Sequence, residues 1–292
     1  MEGRAVAPAA GTVLNALATG RGSAFAIDLE TTASVELDDD GDGDVDGEIA
    51  DAPDADAALI ERCGALTIER YAEEAGRDPE STGATVRTES EVPMAAGLKS
   101  SSAAANATVV ATLDALGLGD AVDPVDACRV GVEAARDAGV TVTGAFDDAS
   151  ASMLGGVTVT DNRADELLAR DAVDWDVLVY TPPERAFSAD ADVAACERIA
   201  PMADLVEELA LDGRYGEAMT VNGFAFCAAL TYPTDPIVDA LPAADGASLS
   251  GTGPSYVAVG TESNLDPVRE RWERRPGAVR RTRTRTEGTT PR

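Results

Sequence analysis

Residues 93–117 read PMAAGLKSSSAAANATVVATLDALG, and the fold turns on how they are read. A strand-like segment, GATVRTESEVP (83–93), runs into Pro93. Gly97 and its small neighbours then predict a tight turn, and three serines open an alanine-rich helix that stops at Gly117. A helix N-terminus carries unpaired N–H groups and the positive end of the macrodipole, so it favours an anion. Glycine lets the backbone approach a ligand closely, and serine hydroxyls add donors or a ligand for Mg²⁺. Lys99 is the only lysine among 23 basic residues; the rest are arginine. Lysine is a compact point charge suited to phosphate oxygens. The Walker pattern G-x-x-x-x-G-K-[ST] is absent. Glycine-serine turns before helices commonly do no more than cap them. Two features point further. One is Lys99 itself, kept where the rest of the chain uses arginine. The other is SGTGPSY (250–256), a second glycine turn between two strands, able to close over the same phosphates.

The surrounding composition narrows the function. The 292 residues are 45% hydrophobic but only 4% aromatic, so a sizeable core is built from Ala, Val and Leu. The net charge is −30, which repels phosphate backbones and argues against nucleic acid as a partner. Such a charge suits a cytoplasm of high salt, where the Debye length falls to ~3 Å at 1 M; arginine and alanine preference from a GC-rich genome gives the same skew. With no histidine, a histidine-bearing zinc site, a Ser-His-Asp triad and a histidine base are excluded. Cys63, Cys128, Cys196 and Cys227 form no CxxC pair and read as reduced core residues. No apolar run reaches a membrane span, and the N-terminus lacks the basic-then-apolar pattern of a signal peptide. A cytoplasmic protein is expected.

Outward from the central stretch, residues 3–37 read as strand and loop, with one or two strands in 24–37. Residues 36–56 carry eleven acids and no base, and read as a solvated insertion dispensable for chemistry. Helices are expected over 57–76 and 124–139, then about 189–211 and 214–231, with a short one in 266–276. Residues 174–183 read as a buried strand. VRRTRTRTEG (279–288) alternates at period two and reads as an edge strand whose arginines pair with acids elsewhere on the chain. A domain boundary is expected near 160–170, dividing the chain into 1–165 and 166–292.

PMAAGLKSSSAA resembles the second motif, P-x-x-x-G-L-x-S-S-A, of the galactokinase, homoserine kinase, mevalonate kinase and phosphomevalonate kinase (GHMP) superfamily. APAAGTVLNALATGRGSA lies where the first motif lies, and SGTGPSYVAV resembles the third. GLKSSSA together with TGAFDDASASMLGG resembles the archaeal type of shikimate kinase, over nearly the whole chain apart from the acidic run. The resemblance implies an α+β fold of two domains, a ribosomal-protein-S5-type N-terminal domain and a ferredoxin-like C-terminal domain, with ATP and Mg²⁺ between them. It implies shikimate as the small-molecule partner, phosphorylated by direct in-line transfer on the route to chorismate and the aromatic amino acids. Its phosphate loop comprises Pro93, Met94, Ala95, Ala96, Gly97, Leu98, Lys99, Ser100, Ser101, Ser102 and Ala103, with Gly251, Thr252 and Gly253 near the active site. Ser101 matches the serine that helps to hold Mg²⁺, with Ser100 and Ser102 as alternates, and Glu133 matches the metal-serving glutamate. Lys99 serves the phosphates. Counting back from Gly155-Gly156 places the catalytic aspartate at Asp148, or at Asp147 if the register shifts by one. By themselves, two adjacent aspartates after Phe146 read as a turn or a helix cap; their place in the motif favours catalysis.

Two other readings stand beside this one. Homoserine kinase shares the superfamily motifs but carries a histidine before its Asp-Asn pair, where this chain has Phe146. DGDGDVDGEI (40–49) begins like a calcium-binding EF-hand loop through Asp42, Asp44 and Asp46, yet its twelfth position, counted from Asp42, is Pro53. For the substrate carboxylate, Arg21 and the C-terminal arginines are the candidates.

Overall fold

The computed structural model describes residues 1–38, 43–92, 96–141, 143–184 and 191–292. Two sheets organise it. The first runs β11-β1-β2-β4-β3, with β5 and β6 continuing from β2. Its strands are β1 (Glu2–Leu14), β2 (Arg21–Asp38), β3 (Val45–Ile49), β4 (Gly83–Ser90), β5 (Val157–Asp161), β6 (Glu166–Asp171) and β11 (Thr290–Pro291). The second runs β10-β7-β9-β8, from β7 (Asp176–Thr181), β8 (Gly246–Leu249), β9 (Tyr256–Gly260) and β10 (Ala278–Arg283).

The long β2 is the hinge of the first sheet. Its start pairs with β5, its end pairs with β4, and β1 runs beside both. Register shifts at Pro8/Ala9 and Thr12/Leu14 bend β1 along the way. The first falls at a proline, which has no N–H for the ladder. Helices α1 (Ala58–Tyr71), α2 (Ser100–Ala115), α3 (Pro124–Asp137) and α4 (Phe146–Leu154) cover one face of this sheet. The core there is mostly alanine and valine, so layers approach closely. A Cβ on Gly3 of β1 would stand 2.2 Å from the Ala111 carbonyl oxygen of α2. The other face, through Phe25, Ile27 and Leu29, shares a core with Val177, Val179, Val257 and Val259 of the second sheet and with α6 (Ala200–Leu211). The opposite side chains of the second sheet, among them Leu178, Tyr180 and Tyr256, pack with α7 (Tyr215–Leu230), α8 (Asp235–Ala240) and α9 (Glu262–Trp272). Both faces of that sheet are thus buried, which explains the continuous apolar run at 177–180.

Most expected elements occur with shifted ends. The helix expected over 189–211 is broken among its described residues into α5 (Val193–Glu197) and α6, with Pro201 in the first turn of α6. The two sheets part between Asp171 and Asp176; β6 pairs with β5, so the first sheet continues past 165. The chain returns to it at the end, through Thr284–Thr289 and β11. β10 is an edge strand, and arginines of this tail pair with acids elsewhere: Arg281 with Glu262 and Asp266, Arg285 and Arg292 with Glu30.

Among its described residues, the acidic run is not all solvated loop. Val45–Ile49 is an edge strand parallel to β4, pairing Val45 with Ala84 and Ile49 with Thr88. Val45 and Ile49 pack on the first core, whereas Asp44, Asp46 and Glu48 are exposed. A strand at this position also removes the EF-hand reading, which needs a coiled loop between helices; Asp42 lies outside the described residues. The four cysteines are buried and unpaired, and burial pushes their thiols up, so they are inert. No helix among the described residues is long and apolar enough to cross a membrane.

Candidate active site

The turn before α2 is held by the β8–β9 turn, some 150 residues away in sequence. Gly97 has φ +78°, and a Cβ there would lie 2.3 Å from the Ser250 carbonyl oxygen. The Ser250 hydroxyl donates to the Gly97 carbonyl at 2.8 Å. Gly251 has φ +57°, and a Cβ on it would stand 3.1 Å from Lys99 Nζ. Both positions need glycine for conformation and for space. Lys99 itself adopts left-handed φ +65°, a strained choice for a side-chain-bearing residue, at the N-cap of α2. Its side chain is 7% exposed, and Nζ lies 2.6 Å from Asp148 Oδ1. The lone lysine therefore forms a buried ion pair with the aspartate singled out by motif position.

Asp147 sits behind that pair. It is buried, with Gly22 of β2 so close that a Cβ there would lie 2.5 Å from its carboxyl. Burial, then the charge of Asp148, push its pKa from 3.8 to about 7, against the opposing pull of Lys99 and of a hydrogen bond from Asn162. Asn162 Nδ2 donates to Asp147 Oδ1 at 2.6 Å, and the Asp147 N–H donates to Asn162 Oδ1 at 3.0 Å.

These groups line one end of a cavity of about 950 Å³. Gly97, Lys99, Ser100, Ser101, Ser102, Asp147, Asp148, Gly251 and Thr252 all face it. Ala96, Leu98 and Ala103 are buried beneath the turn, and Gly253 packs on the Tyr232 ring. Pro93, Met94 and Ala95 lie outside the described residues. The far end is more apolar, with Ile49, Leu59, Ile60 and Val132 beside Asp51 and Asp56. The segment read as a solvated insertion is thus a wall of the cavity.

Asn15 closes the remaining side. Its Nδ2 donates to the Gly251 carbonyl at 2.8 Å, its Oδ1 accepts from Leu17 N–H, and its N–H donates to Asn222 Oδ1 at 2.9 Å. Asn222, buried on α7, donates in turn to Ser248 Oγ. Asn15, Asn162 and Asn222 carry no spacing signal; each reads in sequence as an isolated amide.

Glu133 lies apart from these groups. It is half-exposed on α3 and paired with Arg70 of α1, whereas Val132 and Ala135 take the face toward the cavity. Successive helical residues are rotated by about 100°, so the position matched by motif spacing points away. Arg21 is paired with Asp161 at 2.9 Å and with Glu207 at 3.5 Å. Lys99 is the only basic side chain among the described residues lining the cavity.

A helix N-terminus clasped by a glycine turn, with a lysine–aspartate pair at its foot, suits transfer of a phosphoryl group, and the layers around it are those of the GHMP kinases. The GHMP kinases N terminal domain matches residues 59–156. The fold resembles homoserine kinase from Cytophaga hutchinsonii, with a TM-score of 0.76 at 19% identity over 100% of this chain and 97% of that one. It also resembles the Methanococcus jannaschii mevalonate kinase, with a TM-score of 0.72 at 15% identity over 96% and 98%. In sequence the chain is 66% identical to the shikimate kinase of Halobacterium salinarum over 99% of each. It is 47% identical to that of Methanococcoides burtonii over 99% of this chain and 98% of the other. The chain belongs to the archaeal shikimate kinases, within the GHMP kinase superfamily, and is an ATP-dependent small-molecule kinase.

Proposed function

We propose that the chain transfers the γ-phosphoryl group of ATP to the 3-hydroxyl of shikimate, with Lys99, Asp148 and the N-terminus of α2 carrying the transfer. The observation that supports this most is the 2.6 Å pair between Lys99 and Asp148 under the glycine turn. The backbone N–H groups and hydroxyls of Ser100, Ser101 and Ser102 hold the phosphates. The apolar end, through Ile49, Leu59, Ile60 and Val132, takes the base. Asp148 orients the acceptor hydroxyl and takes its proton as the oxygen–phosphorus bond forms. The bond from the γ-phosphorus to its bridging oxygen breaks, and the electron pair leaves with ADP. Lys99 offsets charge gathering on the transferring group. Mg²⁺ takes oxygen ligands, few of them from protein when phosphates are present. The Ser100–Ser102 hydroxyls fit that demand, Ser101 being the most exposed, and a bound Mg²⁺ supplies neutralisation of phosphate charge there. ADP release measured with a substrate panel in molar KCl tests the reading. Shikimate should be turned over in preference to homoserine and mevalonate; faster phosphorylation of homoserine would contradict it.

A further inference from the structure

Two adjacent carboxylates begin α4, yet only one meets Lys99. The side chain that sorts them is Asn162, one residue past β5 and 1% exposed. All of its amide is spent on this task. Oδ1 accepts from the Asp147 N–H at 3.0 Å and from the Thr160 hydroxyl at 2.8 Å. Nδ2 donates to Asp147 Oδ1 at 2.6 Å and to Thr143 Oγ1 at 3.4 Å. The Thr143 hydroxyl in turn accepts from the N–H of Ala145, the residue in left-handed conformation, φ +52°, from which α4 departs. The Asn162 backbone is held as well: its N–H donates to the Gly20 carbonyl, and its carbonyl accepts from Arg136 of α3, which pairs with Asp165.

We propose that Asn162 is a positioning residue for phosphoryl transfer: it holds Asp147 by backbone and carboxyl together, so that Asp148 alone pairs with Lys99. The proposal rests on the reading of Asp148 and Lys99 as the reacting pair. The chemistry is specific to an amide. An acceptor receives the orphan N–H at the start of α4, and a donor meets the Asp147 carboxyl, from one planar group. Without the donor, a buried carboxyl with Asp148 and Lys99 as its charged neighbours competes for the ammonium.

Exchange of partners tests it. Asn162→Asp keeps shape and the acceptor for the Asp147 N–H but sets carboxyl against carboxyl. It should lower kcat by about 10- to 100-fold while KM for ATP and shikimate stays within about threefold. Adding Asp147→Asn restores a donor opposite an acceptor, in reverse order, and should recover about tenfold or more of the lost kcat, a coupling that mere stability effects do not give. A swap no more active than Asn162→Asp overturns the proposal, as does an Asn162→Asp chain with unchanged kcat. If Asn162→Asp does not fold, Asn162→Ser takes its place: a fall in kcat with both KM values held supports the proposal, and an unchanged kcat overturns it. Asp148→Asn measured alongside separates the two ideas. Full activity there contradicts the reacting pair itself, whereas full activity of Asn162→Asp contradicts only the positioning.

Discussion

Lys99 answers for the one lysine in the chain. Its Nζ lies between Asp148 and the Gly251 turn, with no room for a planar guanidinium, since even a Cβ on Gly251 would stand 3.1 Å away. Lys99→Arg should therefore be a poor substitute, and Lys99→Ala should weaken nucleotide affinity or turnover while the chain stays folded. Isothermal titration with ATP and a steady-state assay check both, and an arginine as effective as lysine contradicts the account. Asp147 makes a pH prediction. Its carboxyl is raised from 3.8 to about 7, so across that interval the folded chain holds a proton that the unfolded chain has released. This contribution to stability is present below the lower value and is lost as pH rises through the higher one. Asp147→Asn removes it. The melting temperature of the variant relative to the parent should therefore rise between pH 5 and pH 8 in constant salt; a flat difference contradicts the burial seen here. At this scale the sequence was half legible. Lys99 and the aspartates announced themselves by rarity and motif position. Asn162 did not, because its partner Asp147 lies 15 residues back and only folding brings the amide and the carboxyl together.

The elements read best where one physical signal ruled. The serine-opened helix, the amphipathic α3 and the Arg-Thr edge strand were plain in the pattern. The strand β3 was not, although DVDGEI alternates acid with small or apolar residues at period two. Charge masked the alternation: eleven acids in 36–56 read as solvent, yet the acids Asp44, Asp46 and Glu48 occupy only the outer face. The expectation for deletion reverses accordingly. Replacing 43–56 by a Gly-Ser linker removes β3, uncovers part of the α1 core and takes away Ile49, Asp51, Ala52, Ala55 and Asp56 from the cavity wall. KM for ATP should rise by about tenfold or more, in line with the loss of roughly 1.4 kcal/mol or more of binding, and melting temperature should fall. Unchanged KM and melting temperature would show that the segment is a passenger after all. Glu133 is hard to place by motif for a related reason. Motif spacing fixes position along a helix, but a shift of one residue turns a side chain from the cavity to the Arg70 side.

The whole molecule carries a charge of −30, and the cavity repeats it in miniature: Asp51, Asp56, Glu91, Asp147 and Asp148 against Lys99. A nucleotide triphosphate enters against that field, so screening should assist it. KM for ATP should fall as KCl is raised from low to molar concentration at fixed Mg²⁺, in a range where circular dichroism shows the chain folded throughout. A KM that rises with salt contradicts this. Composition pointed to salt, and the 66% identity to a Halobacterium salinarum enzyme agrees. The proposal that Asp148 takes the proton of the acceptor hydroxyl draws on the glycine turn, the strained lysine and the Lys99–Asp148 pair. The most direct test is single-turnover phosphorylation of shikimate by Asp148→Asn in molar KCl, with ATP affinity measured on the same sample. The account predicts a rate about 10²- to 10⁴-fold below that of the unaltered chain with ATP affinity within about threefold; a rate within about twofold of the parent would contradict it.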